Sequence, residues 1–263
     1  MNEKMISDYL SRVGLSDMPV ASESGLTQLH IAQHRHIPFE NFDVLLGRGI
    51  QLSEEAIFQK LVLDKRGGYC FELNGLMLRI LNAAGFESRP LLGRVHLGDG
   101  PSGRSHQVSL VIIEGKKWLV DVGFGALTPR SPLPIELNKE LHTDIQTYRF
   151  ITHELYGNVL QIKDDEQWND LYSLDMSYVC DGDIEYGNHY TSTSKNSSFT
   201  SGCKAALSTE TGVITLLNNK LKIRDGNDTQ EILLTNKDSF FGELESKLGL
   251  TIDAPFDAIS KYF

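Results

Sequence analysis

The chain has 263 residues, 40% of them hydrophobic, and a formal net charge of −10. That length suits about two domains around a large core, and the acidic balance excludes general nucleic-acid binding, which needs a basic face. No apolar run nears the roughly 18 residues of a membrane span. Three scattered cysteines, Cys70, Cys180 and Cys203, with no leader pattern, suit a reducing compartment, so a cytoplasmic enzyme is expected.

Residues 1–88 read mainly as helices. Met1 to Val13 is amphipathic, and Ser24 to His36 follows with Ser24 as a plausible cap. His30 and His34 share a helix face, but no nearby Cys, Asp or Glu completes a zinc set, though Glu40 is close in sequence. A solvated helix end is the expected role, and no metal is predicted. Ser53 caps a third helix, with Glu54 and Glu55 in its first turn. Arg66-Gly67-Gly68-Tyr69-Cys70-Phe71-Glu72 then leads into apolar positions Leu73, Leu76, Met77, Ile80 and Leu81 at helical spacing, stopping at Gly85. The glycine pair sets Cys70 at the helix start, where unpaired N–H groups and the macrodipole favour a thiolate. Alone, this cysteine suits a nucleophile or a small buried residue equally well. Glu40 and Arg66 flank the motif and read as a buried ion pair holding its loop.

Residues 89–190 read as short strands of a small barrel or curved sheet: Arg89 to Val95, Val108 to Ile113, Lys117 to Val122 and Tyr148 to Thr152. Glu114-Gly115-Lys116-Lys117 is a turn signal, so the second and third of these form a hairpin. His106 then opens one strand and Asp121 ends the other. A histidine there is often a surface residue and an aspartate often a turn former. Together with Cys70 they supply a nucleophile, its base and the carboxylate that fixes the base's tautomer. Asp164-Asp165-Glu166 and Asp181-Gly182-Asp183 read as solvated turns, being too short for calcium loops. Gly123-Phe124-Gly125 is not a dinucleotide fingerprint. Residues 191–263 read as a second sheet, with strands at Cys203 to Leu207, Gly212 to Leu216 and Lys220 to Arg224, then a helix over Phe240 to Leu248.

The Cys70 run, the His106 strand and Val120-Asp121-Val122-Gly123-Phe124-Gly125 resemble the three signatures of the arylamine N-acetyltransferases, in order and at similar spacing. Leu29-His30 and Ile37 to Val44 resemble that family's N-terminal block. Tyr190 to Phe199 resembles its hydroxyl-rich stretch, without the usual proline. The resemblance implies an α+β multi-domain fold: an N-terminal helical bundle (1–88), a central β-barrel (89–190) and a C-terminal α/β lid (191–263). A helix-borne nucleophile facing a sheet-borne His and Asp is also the cysteine-protease-like scaffold of papain-like hydrolases and transglutaminases. The implied reaction is acetyl transfer from acetyl-coenzyme A to an aromatic amine, hydrazine or hydroxylamine through an acetyl-Cys70 intermediate. A cysteine hydrolase or transglutaminase-like amide exchanger is the alternative. The resemblance implies coenzyme A contacts at Ser102 and Gly103 and, by position, at Thr200, Ser201 and Gly202. It implies acceptor contacts at Ser105 and His106, and Phe39, Val95 and Phe124 are candidate acceptor walls that also suit simple core. The expected partners are small molecules, with no nucleic acid and no membrane.

Overall fold

In the computed structural model, which describes residues 1–263, the first third is helical, as its apolar spacing predicts. α1 (Glu3–Arg12) is capped by Asn2, whose side chain accepts the Met5 N–H at 2.9 Å. The cap of α2 (Glu23–His36) is Ser22 rather than Ser24. Ser22 is extended and accepts the Gly25 N–H at 3.2 Å, whereas Ser24 is already helical. A two-residue strand β1 (Phe39–Glu40) and a single turn α3 (Phe42–Leu45) follow. Ser53 caps α4 (Glu54–Phe58) as expected, and α4 runs on into a π-helical turn, Gln59–Leu63. α5 (Cys70–Ala83) carries the cysteine in its first turn.

Eight strands make one antiparallel sheet: β2 (Glu87–Val95), β3 (Arg104–Ile113), β4 (Lys116–Val120), β5 (Leu133–Pro134), β6 (Leu141–His142), β7 (Thr147–His153), β8 (Gly157–Asp164) and β9 (Gln167–Leu174). Their order is β5-β4-β3-β2-β9-β8-β7-β6. The sheet curls into a nearly closed barrel, because the Asn138 N–H just beyond β5 reaches the Phe150 carbonyl of β7 at 2.7 Å. Side chains from all eight strands, such as Leu110, Leu119, Leu133, Phe150 and Tyr172, fill the interior.

Asp181-Gly182-Asp183 does not form a solvated turn; it opens a helix, α6 (Asp181–Thr193). Asp183 accepts the Cys180 N–H at 3.0 Å, and acidic residues in the first turn suit the positive helix end. The second sheet has the order β1-β10-β11-β12-β13, with β10 (Lys204–Ser208), β11 (Gly212–Leu217), β12 (Lys220–Asp225) and β13 (Asp228–Leu233). α7 (Lys237–Leu248) and α8 (Phe256–Ser260) add Phe240, Leu244, Leu248 and Ile259 to its core. β1 thus carries a segment of the helical N-terminal part into the C-terminal sheet, pairing Phe39 with Ala206 and Glu40 with Ala205. No helix is long and apolar enough to cross a membrane.

Candidate active site

The loop before Cys70 is fixed by backbone contact. Glu40 N–H donates to the Gly68 carbonyl at 2.8 Å, and Gly68 N–H to the Pro38 carbonyl at 3.2 Å. A Cβ on Gly67 would lie 2.3 Å from the Pro38 oxygen, and one on Gly68 would lie 2.8 Å from Glu72 Oε2. Only glycine admits this approach. Glu72 accepts the Tyr69 N–H at 3.0 Å, closing the start of α5. The Glu40–Arg66 pair is present at 2.6 Å and belongs to a larger network. Arg66 also reaches Asp43 at 3.3 Å, and Lys60 joins Asp43 at 2.8 Å to Glu72 at 2.7 Å. Burial works against each charge, but Lys60 and Arg66 hold the Asp43 carboxyl below its usual range.

β3 is buried on both faces, which is why its sequence does not alternate. His106, Val108 and Leu110 share one face, and Val108 and Leu110 point into the barrel interior; Val111, on the other face, joins the helical core. His106 sits inside the strand, opposite Gly93, rather than at its mouth. The register shifts there, because Gly93 pairs with His106 and Arg94 with Arg104. Ser105 is the extra residue of this bulge, a device that re-aims side chains beside functional sites. Its carbonyl oxygen lies 3.8 Å from Cys70 Sγ.

Asp121 follows the last residue of β4 and is fully buried. Four donors converge on its two oxygens. His106 Nε2 at 2.7 Å and Tyr172 OH at 2.9 Å meet Oδ2. Asn74 Nδ2 and the Gly123 N–H, each at 2.9 Å, meet Oδ1. His106 Nδ1 is the ring nitrogen that Asp121 leaves free, and Cys70 is the other side chain that raises the His106 pKa. Burial disfavours the imidazolium, but the Asp121 carboxylate and the Cys70 sulfur outweigh it and hold the His106 pKa up at about 10. Burial likewise opposes the Asp121 charge, and His106, Asn74 and Gly123 nonetheless keep that carboxyl below its ordinary value. The Phe124 and Tyr172 rings flank His106, with centroids 4.7 and 4.9 Å away.

Asn74 is the connecting residue that motif reasoning passes over. It stands one turn after Cys70 on the same helix face. Besides Asp121, its Nδ2 reaches the Gln107 carbonyl at 2.7 Å and its Oδ1 accepts the Val122 N–H at 2.9 Å. A polar residue at i+4 from the cysteine, within an otherwise apolar run, was the available signal. Tyr172, on β9, has no local signal at all.

Cys70 and His106 open into a cleft of about 690 Å³ that is also lined by Phe39, Val95, Ser102, Ser105 and Phe124. Ser102 braces the rim, donating to Gly103 O at 2.7 Å and accepting the Val95 N–H at 2.8 Å. Gly103 faces a smaller adjoining cavity of about 300 Å³ under α6. Thr200, Ser201 and Gly202 are not in the lining; Asn196, Ser197, Ser198 and Phe199 are. The Thr200 hydroxyl is spent within its own loop, on the Ser194 and Ser197 carbonyls, and the Gly202 carbonyl accepts from Asn41 at 2.8 Å.

His30 is not at a solvated helix end. It is fully buried, with Nε2 2.8 Å from the Pro129 carbonyl, and burial pushes its pKa down to about 4. Burial, with His30 beside it, takes His34 to about 3. No group of three His, Cys, Asp or Glu side chains able to hold a metal ion is present. All three cysteines are free.

The N-acetyltransferase family model matches residues 24–256. The arylamine N-acetyltransferase / N-hydroxyarylamine O-acetyltransferase of Salmonella typhimurium is 40% identical over 185 residues, spanning 70% of this chain and 66% of that protein. The solved Salmonella typhimurium arylamine N-acetyltransferase superposes with a TM-score of 0.94 at 31% identity, covering all of both chains. The Mycobacterium marinum arylamine N-acetyltransferase solved in complex with CoA gives 0.87 at 32% identity, over 93% of this chain and 92% of that one. With the cysteine, histidine and aspartate brought together at one cleft on the same overall fold, the chain belongs to the arylamine N-acetyltransferase family.

Proposed function

We propose that the enzyme moves the acetyl group of acetyl-coenzyme A to arylamines, arylhydrazines or arylhydroxylamines by double displacement through Cys70. The observation that supports this is that Cys70 and His106 line one mainly apolar cleft, with His106 hydrogen-bonded to the buried Asp121 behind it. The Cys70 thiolate attacks the thioester carbonyl. The tetrahedral intermediate collapses, and the coenzyme A thiolate leaves with a proton from the His106 imidazolium. The amine then attacks acetyl-Cys70, His106 takes its proton, and the Cys70 thiolate is released with the amide. Each step passes through an oxyanion, for which the Cys70 N–H at the start of α5 is a donor without an intrahelical acceptor. Phe39, Val95 and Phe124 wall the acceptor ring and keep water from acetyl-Cys70.

We further assign the nucleophile to residues 1–88, the base and carboxylate to 89–190 and the cover of the cleft to 191–263, on a cysteine-protease-like scaffold. Ser102 and Ser198 are the rim hydroxyls nearest to hand for the donor. The CoA complex of the Mycobacterium marinum relative supports that choice of donor.

Weighing the intact protein after exposure to acetyl-coenzyme A alone tests the proposal. One acetyl adduct is expected, absent in Cys70→Ser and retained in variants of Cys180 and Cys203. The adduct should persist without amine. No adduct, or one on another residue, refutes the mechanism, and rapid loss of the adduct to water indicates a hydrolase.

A further inference from the structure

Lys204 is the one lysine or arginine in the cleft lining, which contains no Asp or Glu. Its Nζ donates to Ser198 Oγ at 2.7 Å and stands 4.8 Å from the centre of the Phe199 ring. No carboxylate raises its pKa, and burial lowers it. A half-buried cation with no counter-ion, in a cleft of an otherwise acidic protein, is stabilised by an anion that enters beside it.

The surroundings indicate which anion. The Phe199 ring beneath the ammonium meets the Phe39 ring at 6.0 Å and the Tyr69 ring at 5.8 Å. Lys204 therefore stands over the same aromatic wall that would hold an acceptor ring. A pyrophosphate carries several charges and is ordinarily met by several N–H donors or an arginine fork. A single lysine matches a single carboxylate. Thr191 also lines the cleft, and its buried hydroxyl has no hydrogen-bond partner.

We infer that Lys204 selects acceptors whose aromatic ring carries a carboxylate, a specificity that rests on the acyl transfer proposed above. The test compares 4-aminobenzoate with its methyl ester as acceptors for the wild type, Lys204→Met and Lys204→Arg. The readout is the ratio of kcat/KM for acid over ester. Lys204→Met should lower that ratio about tenfold or more, the effect of one charge-assisted hydrogen bond, and Lys204→Arg should keep most of it. An unchanged ratio, or equal losses for both acceptors, overturns the inference. So does selective loss of acylation by acetyl-coenzyme A relative to acetyl-pantetheine, which would assign the cation to the donor's phosphates. Calorimetric binding of 4-acetamidobenzoate and its methyl ester repeats the comparison without chemistry. A failure of acetyl transfer is thereby distinguished from a failure of the cation site.

Discussion

Asp121→Asn removes a charge, and the hydrogen bonds around it determine what happens next. All four partners of the carboxylate donate: His106 and Tyr172 to Oδ2, Asn74 and Gly123 to Oδ1. An amide presents one oxygen and one NH2 group, so two donors must face the NH2. The Gly123 N–H cannot become an acceptor. Asn74 cannot turn over, because Gln107 O and the Val122 N–H pin its two ends. The oxygen therefore stays with Asn74 and Gly123, and the NH2 points at His106 and Tyr172. The tyrosine hydroxyl can rotate to accept. His106 can accept at Nε2 only by carrying its proton on Nδ1, the nitrogen that Asp121 leaves free for Cys70. In that tautomer it cannot take the thiol proton. The same exchange behind a catalytic histidine costs about 10⁴-fold in turnover. A thiol ionises more readily than an alcohol, so acetylation of Cys70 should slow by about 10³- to 10⁴-fold here. Burst release of coenzyme A measures that step, and the pH dependence of Cys70 alkylation reports the lost base. An acetylation rate within tenfold of the wild type, in a variant that unfolds at a similar temperature, would refute the tautomer argument.

Gly123→Ala should cost about 10²-fold in acetylation, because the new Cβ would lie 2.8 Å from Asn74 Nδ2 and 2.9 Å from Cys70 Cα, which displaces Cys70 from His106. Stopped-flow acylation checks this, and an active alanine variant would show that α5 can back away. Arg66→Met should lose about 3–5 kcal/mol in urea unfolding, since it leaves the buried Glu40 charge short of its partner, and adding Glu40→Gln should recover part of the loss. A loss below about 1 kcal/mol would mean that Lys60 alone neutralises the network. The His106 pKa is raised, so its contribution to stability is complete below its ordinary value of 6.5 and is lost as pH rises toward about 10. The Asp121 pKa is lowered, so its contribution is present above 3.8 and is lost as pH falls. Thermal melts should show the wild-type advantage over Asp121→Asn shrinking from pH 6.5 to 10, and an advantage that grows over that range would contradict the pairing.

The parts of the site that can be read along the chain are those with local causes. A glycine pair before a helical run places Cys70 at a helix start whatever surrounds it. A two-residue turn at Glu114-Gly115 brings β4 beside β3, and that register sets Asp121 near His106. What escaped is what depends on distant packing. Tyr172 reaches Asp121 only because the sheet curls until β9 lies beside β2. α6 shows no helical stripe because it buries only Gly187 and Thr191, and a Cβ at Gly187 would lie 2.8 Å from Phe71. β13 lies at the edge of its sheet with nearly every residue exposed, so no apolar alternation marks it. In the Asn196 to Gly202 loop, composition cannot distinguish hydroxyls that face the cleft from those consumed inside the loop. Ser198 binds Lys204, whereas Thr200 bonds back to Ser194 and Ser197.

Two struts make the site one frame. Asn74, one turn into α5, ties that helix to three barrel groups, the Gln107 carbonyl, the Asp121 carboxylate and the Val122 N–H, so Cys70 and His106 cannot drift apart without breaking all three bonds. The second strut is β1. Its Phe39–Glu40 backbone bridges to Gly68 on one side and pairs with Ala205–Ala206 on the other. Glu40 also anchors Arg66, and the next residue, Asn41, accepts the Lys204 N–H at 2.8 Å. The lysine proposed to read the acceptor is therefore registered to the cysteine loop through two short backbone connections. The C-terminal sheet need not close over a bound substrate to bring that charge into place. Selectivity for a ring carboxylate should accordingly survive changes in the distant hairpin between β12 and β13, and it should respond to changes at Asn41.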